Sequence, residues 1–323
     1  MILFDKKVFF DLVDSKKNIV VAFSGGGDSS ALLHFCHELN QKKLLHGNLS
    51  AIHVNHSLNH HSDMWEDHCK IFCKERNIPF NSYVVSINKK KSGLESAARN
   101  ARYKIFKRTL QANDQLLMAH HADDVAETIL FRLFRGTGLD GLQGPMKKRF
   151  LGEGVLLRPW LGHTKSDLIK YLADNKIQHI TDQSNFEDDQ DRNFIRNELL
   201  KPASDRWPKA SKQIQQTSEL IFNHKSTYDL LLEQQFGSNI KGLKLHRKFL
   251  LDLDESSCTE IIRYWIKKNN VAMPNKKILG EILKAFIYSN PSAITRVNWS
   301  RADSEQKKAF LTFSDGDLVL NEK

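Results

Sequence analysis

A chain that passes from an apolar strand into three consecutive glycines and then into a helix has few folds open to it. Ile19-Val20-Val21-Ala22-Phe23 reads as a buried strand, and from Ser30 onward Ala31, Leu32, Phe35 and Leu39 recur at helical spacing. Between them stands Ser24-Gly25-Gly26-Gly27-Asp28-Ser29. Such a turn leaves successive backbone N–H groups unpaired at a helix N-terminus, and glycines let a polyanion approach closely. The stretch is therefore read as a phosphate cradle. It is not a Walker A loop, because no Gly-Lys-Ser/Thr closes it. Nor is it a dinucleotide fingerprint, since Asp28 stands where the third glycine belongs. A carboxylate beside several phosphates makes sense when it helps to hold Mg²⁺. An Asp/Ser helix cap alone would not need three glycines.

The following segments alternate strand and helix. Strands are expected at 49–54, 80–87 and 115–119, and helices at 63–76, 94–110 and 123–135. This order predicts an α/β fold with a parallel sheet, helices on both faces and the ligand at the carboxyl ends of the strands. Residues 136–154 are glycine-rich and read as irregular, 155–158 as a last strand, and 164–175 as a helix capped by Thr164. A polar, acidic loop follows at 182–191. Beyond Pro208, Ile214, Thr217, Ile221, His224, Tyr228 and Leu231 mark one side of a long helix. The expected division is a catalytic domain at 1–207, a connecting helix at 208–235 and a smaller α+β domain at 236–323. In the last, helices are expected near 255–268 and 275–288, with short strands near 294–299 and 310–313.

Two strings at the ligand edge carry chemistry. In 86–108 there are eight Lys or Arg and one acid, including Lys89, Lys90 and Lys91, with Arg99 and Arg102 on one helical face. A guanidinium pairs bidentately with phosphate oxygens, which singles out Arg99. His120-His121-Ala122-Asp123-Asp124-Val125-Ala126-Glu127-Thr128 begins where the fourth strand ends. Asp124 and Glu127 share a helix face and suit an amine or a metal, while Asp123 is read as the N-cap. Arg135 to Leu142 then ends the helix in a turn richer in glycine than a plain stop requires.

The formal charge is +10, from 48 Lys and Arg against 38 Asp and Glu, which favours a polyanionic partner such as nucleic acid. No apolar run is long enough to span a bilayer and no signal-peptide pattern opens the chain, so a cytoplasmic location is expected. Cys36, Cys69, Cys73 and Cys258 form no C-x-x-C pair, and the spacing of His53, His56, His60 and His61 matches no zinc pattern.

The loop at 24–29 resembles that of the N-type ATP pyrophosphatases, which cleave ATP to AMP and pyrophosphate. With Val54-Asn55-His56-Ser57-Leu58, the Glu95–Arg99 string, 120–128, 135–142, Arg158-Pro159, Asp182-Gln183-Ser184-Asn185 and Arg192-Asn193-Phe194-Ile195-Arg196, the chain resembles the tRNA(Ile)-lysidine synthetase family over residues 18–202. Ser57 and Asn59 depart from it, where relatives carry Gly and a basic residue. The resemblance implies a Rossmann-like domain of the adenine nucleotide alpha hydrolase type. It also implies a ligase that adenylates the C2 oxygen of the wobble cytidine in a CAU-anticodon tRNA(Ile) and then lets free L-lysine displace AMP. On this reading Ser24, Gly25, Gly26, Gly27, Asp28 and Ser29 hold ATP, and Asp28 holds the Mg²⁺ that accompanies it. Arg99 offsets phosphate charge, His120 lies near the nucleotide, and Asp124 and Glu127 orient lysine. Lys89, Lys90, Lys91, Arg192, Arg196 and the C-terminal domain are the tRNA candidates, and a homodimer is compatible with the sequence. A thiolase of the same superfamily would carry paired cysteines in the cleft. An amidotransferase-type synthetase would carry an N-terminal nucleophilic Cys. A nonenzymatic RNA-binding protein would lose affinity through acids at 124 and 127.

Overall fold

The computed structural model describes residues 4–57, 62–85, 94–181, 191–300 and 308–322, with Leu94 and Glu95 described by their backbone alone. Lys89, Lys90, Lys91 and the 182–185 string lie outside the described residues. The chain divides into two compact units, Met1–Asn223 and His224–Lys323.

The first unit opens with α1 (Lys6–Leu12) and alternates β1 (Asn18–Ala22), α2 (Gly27–Gln41), β2 (Leu49–Asn55), α3 (Ser62–Glu75), β3 (Phe80–Val84), α4 (Leu94–Thr109), β4 (Asp114–Leu117) and α5 (Ala122–Phe134). Then come α6 (Leu139–Leu142), β5 (Lys148–Leu151), β6 (Gly154–Leu157) and α7 (Lys165–Asp174). Among the described residues the sheet has the order β3-β2-β1-β4-β6-β5. Strand β1 pairs in parallel with both β2 and β4, placing Val21 beside Ala51 and Leu117. Apolar side chains cover both faces of this sheet: Phe4, Phe35, Cys36 and Trp160 belong to one core, Phe106, Leu110 and Leu116 to another. Two-sided burial explains why the central strands read as continuous apolar runs rather than alternating ones.

One expectation fails here. Residues 136–154, read as irregular, contain α6 and the edge strand β5, which pairs antiparallel with β6. The connecting turn is Gly152-Glu153, closed by Leu151 opposite Gly154, and Gly152 takes φ +61°. A two-residue hairpin demands a positive φ at such a position, so this glycine of the stretch read as irregular is a turn device.

Thr164 caps α7 as expected, accepting from Asp167 N while Asp167 accepts from Thr164 N. After α7 come α8 (Asp191–Phe194), a π-helical turn (Ile195–Leu200), α9 (Lys201–Arg206) and α10 (Ala210–Phe236), within which the division between the units falls. The second unit carries β7 (Ile240–Lys241), β8 (Lys244–His246), α11 (Arg247–Leu250), α12 (Glu255–Lys268), α13 (Lys276–Phe286), β9 (Val297–Trp299), β10 (Ala309–Ser314) and β11 (Asp317–Glu322). Its described strands form an antiparallel sheet, β7-β8-β11-β10-β9, over a core that includes Trp265, Ile282, Phe286 and Leu311. No described helix is long and apolar enough to cross a membrane.

Candidate active site

Strand β1 delivers the chain to the carboxyl edge of the sheet, where the glycine loop turns it into α2. Gly25 takes φ +82°, and a Cβ there would lie 2.7 Å from Ile180 Cδ1 and 3.0 Å from Cys69 Sγ. Only glycine fits both the backbone and the space. The loop is fastened by its own serines. Ser29 Oγ donates to Gly26 O, accepts from Ser24 N and lies 3.0 Å from Ser24 Oγ; Ser30 Oγ donates to Gly25 O. Ile180 N donates to Gly25 O from outside. Asp28 sits in the first turn of α2, half-buried, facing the same edge.

Two cations meet Asp28. Lys165 Nζ donates to its Oδ1 at 2.5 Å, and His121 Nε2 stands 3.7 Å from Oδ2. Burial alone would raise this carboxyl, yet the two cations hold it well below the usual carboxylate range. His121 is itself buried, with Asp123 Oδ2 at 3.5 Å and Asp124 Oδ2 at 3.6 Å. Burial pushes its pKa down, but Asp124, Asp123 and Asp28 outweigh that and raise it to about 10. An imidazolium therefore ties the phosphate-type loop to the N-terminus of α5.

At that N-terminus the caps are exchanged relative to the sequence reading. His121 is the N-cap residue and Asp124 reaches back to accept from its backbone N at 2.9 Å. Asp123, expected as the cap, accepts instead from Lys165 N at 2.7 Å and Ser211 Oγ at 2.8 Å. The cap position follows from where β4 releases the chain, which spacing does not resolve to one residue.

One turn further along α5, Glu127 is buried and receives a bidentate guanidinium: Arg196 Nε at 2.6 Å and Nη2 at 3.0 Å. Burial raises the Glu127 pKa in spite of this partner. Arg196 rides the π-helical turn, a feature frequent at functional sites. His120 faces another guanidinium. Arg158 Nε donates to His120 Nδ1 at 3.1 Å, so the ring's proton sits on Nε2. Burial, with Arg158 nearby, pulls the His120 pKa down to about 4, leaving it neutral.

The structure thus gathers Ser24 to Ser29, Asp28, Asp124 and Glu127 around one edge, with His121 linking Asp28 to Asp124. Arg99 lies on α4 with its guanidinium over Tyr103, 4.8 Å from the ring centroid. Arg192, half-buried on α8, stands four residues before Arg196. Sequence reasoning assigned no role to Lys165, His121, Arg158 or Tyr103. Lys165 is 137 residues from Asp28, so only the fold could pair them. Ser57 adopts φ +49°, a conformation that glycine takes without cost.

Residues 4–203 match the PP-loop domain family and residues 245–309 the TilS substrate binding domain. A tRNA(Ile)-lysidine synthase of Legionella pneumophila (strain Lens) is 32% identical over 304 residues, covering 94% of this chain and 70% of that protein. One from Coxiella burnetii is 36% identical over 279 residues, 85% of this chain and 61% of its own length. Among solved structures, the U34-tRNA thiolase NcsA from Methanococcus maripaludis, described with its [4Fe-4S] cluster, superposes with a TM-score of 0.55 at 18% identity. It covers 68% of this chain and 78% of its own, a likeness of fold. With a PP-loop domain over most of its length and 32% identity to a protein of which it spans 70%, this chain belongs to the tRNA(Ile)-lysidine synthase family.

Proposed function

We propose that this chain joins free L-lysine to the wobble cytidine of a CAU-anticodon tRNA(Ile), consuming ATP and releasing AMP and pyrophosphate. In the first step the cytidine C2 oxygen attacks the α-phosphorus, and the bond to pyrophosphate breaks. In the second the lysine amine attacks C2, AMP departs with the oxygen, and the amine loses a proton. The observation that carries this reading is the linkage of the loop, through Asp28 and His121, to the acids of α5.

The loop N–H groups take the pyrophosphate end of ATP, with the His121 imidazolium and Lys165 adding positive charge beside it. Asp28 is the carboxylate for Mg²⁺. Among the described residues no group of three or more His, Cys, Asp or Glu could hold a metal by itself. This fits an ion that brings most of its ligands from phosphates and water. Bound there, it would neutralise phosphate charge. Arg99 offsets charge developing at the α-phosphate. Neutral His120 presents its Nε2 proton to the nucleotide or the cytidine oxygen.

A lysine amine with pKa near 10.4 is neutral in about one molecule per 2,500 at pH 7. Attack needs that neutral form. Glu127, whose proton affinity is raised by burial, is the better proton acceptor, while Asp124 orients the amine. Arg196, whose Nε and Nη2 hold Glu127, orients that carboxylate and joins the amino-acid pocket rather than the tRNA surface. Lys89, Lys90, Lys91, Arg192 and the domain at 236–323 remain for tRNA, with 208–235 as the connecting helix. A cytoplasmic location and homodimeric assembly complete the reading. The thiolase alternative is disfavoured because Cys69 and Cys73 are buried, and burial raises both thiols well above their ordinary range.

The test is pyrophosphate release from ATP in the presence of tRNA, together with incorporation of labelled lysine. Asp124→Asn, which keeps a cap acceptor, is expected to lower lysine transfer on the order of 10²-fold while tRNA binding survives. Equal loss of both would make Asp124 structural, and an enzyme that never consumes lysine would end the proposal.

A further inference from the structure

Three guanidinium groups converge on one phenol, that of Tyr103 on α4. Arg158 Nη2 donates to Tyr103 Oη at 3.2 Å and Arg99 Nη2 to the same oxygen at 3.5 Å. Arg149, on the edge strand β5, stands 4.7 Å from the centroid of the same ring. Arg158 is fully engaged, since its other nitrogens reach His120 Nδ1 and Met146 O. Arg149 is not: its Nε is buried and has no hydrogen-bond partner. The Tyr103 hydroxyl hands its own proton only to Met118 Sδ at 3.6 Å, a weak acceptor. Among the described residues no carboxylate hydrogen-bonds or ion-pairs with any of the three arginines. Burial would raise the Tyr103 pKa, but Arg99, Arg158 and Arg149 outweigh it and lower it.

Like charges gathered around a buried phenol without an acid are complementary to an oxyanion, and guanidinium forks match phosphate oxygens. The strand order places the Arg149 and Arg158 members away from the strand that carries the glycine loop: β4 lies between β1 and β6, and β5 lies beyond β6. At about 4.8 Å per strand, β6 and β5 stand roughly 10 and 14 Å from β1. Arg149, on the outermost of these strands, is therefore set farther than Arg158 from phosphates seated in the loop. Phe150, next to Arg149, is 84% exposed, and Lys148 on its other side is exposed too. An exposed ring among cations is the pattern of a single-stranded nucleic-acid contact.

We propose that Arg149, with Arg158 and Tyr103, forms a binding site for a backbone phosphodiester of the RNA substrate, beside the nucleotide whose base enters at His120, while Arg99 on the other side of the phenol stays with the α-phosphate. The assignment rests on the RNA reading above and adds a residue outside the motif strings. The probe is an anticodon stem–loop RNA with the CAU sequence, bound to the full chain without ATP across a salt series. Arg149→Ala is expected to weaken binding about tenfold and to reduce the slope of log K against log salt by about 0.7, the value for one phosphate on a single strand. The KM for ATP should stay within about twofold, and Arg149→Lys should restore most of the slope but less of the affinity. A single methylphosphonate scanned along the loop RNA should find one position where wild type loses the same factor and Arg149→Ala loses nothing more. A raised KM for ATP with unchanged RNA affinity would give the anion site to ATP and overturn the proposal. Unchanged RNA affinity and ATP KM, with an unchanged melting temperature, would overturn it as well. Lysine consumption by wild type, measured alongside, tests the parent reading separately.

Discussion

Gly25→Ala and Gly26→Ala, one bond apart in the same loop, should fail in different ways. At Gly25 the backbone sits at φ +82°, where an L side chain costs about 1–2 kcal/mol. The new methyl would also lie 2.7 Å from Ile180 Cδ1 and 3.0 Å from Cys69 Sγ. The Ile180 methyl is a flexible end that can give way, so the overpacking cost belongs at the lower part of the usual ~1–3 kcal/mol. Together these predict a loss of about 2–4 kcal/mol for Gly25→Ala, read from urea unfolding. At Gly26, φ is −71° and the nearest neighbour of a Cβ would be Ser24 Oγ at 3.6 Å. As the N-cap it should lose no more than about 1 kcal/mol on becoming Ala. Its methyl would instead project toward an approaching polyanion, so the KM for ATP should rise severalfold at nearly unchanged stability. If Gly25→Ala unfolds within ~0.5 kcal/mol of wild type, the argument from backbone and packing is wrong. If Gly26→Ala binds ATP like wild type, the loop is not the phosphate cradle.

Two further outcomes follow from the charged groups. Arg196→Met leaves Glu127 buried without its cation; full burial of both partners would make this cost about 3–5 kcal/mol, but the Arg196 side chain is 40% exposed against 5% for Glu127, so about 1–3 kcal/mol is expected. Glu127→Gln combined with Arg196→Met should recover part of that loss in urea unfolding, and strict additivity would deny the coupling. His121 has a folded pKa of about 10 against an ordinary 6.5, so its contribution is fully present below 6.5 and is lost as pH rises through 10. The melting temperature should therefore fall between pH 7 and 10, and His121→Gln should flatten that decline. A wild-type profile as flat as the variant's would refute the imidazolium.

The features legible in the sequence are those set by neighbours along the chain. The strand–glycine–helix passage at 19–39 is local, and Thr164 with Asp167 forms a cap within four residues. The edge strand β5 escaped because its exposed Lys148 and Phe150 leave only Leu151 buried, and its turn glycine imitates a loop. In the second unit, β11 was missed although Leu318 and Leu320 alternate as a half-buried strand should and Asp315-Gly316, both at positive φ, is a two-residue hairpin signal legible in the sequence. At the site, residue types were readable but pairings were not. Nothing near Arg196 in sequence indicates Glu127, 69 residues away, and nothing near Lys165 indicates Asp28. Those contacts depend on which helices the sheet order brings to one edge.

The ammonium that Lys165 lays on Asp28 has a consequence for how such a pocket fills. The carboxylate is already paired, so the loop need not shift to hide a lone negative charge. A divalent ion arriving with a nucleotide trades places with a tethered amine, and the local sum of charges changes less than a bare acid would require. Uptake should accordingly respond to the length and flexibility of one side chain on a neighbouring helix. A shorter residue at position 165 alters the resting occupant without touching the loop itself.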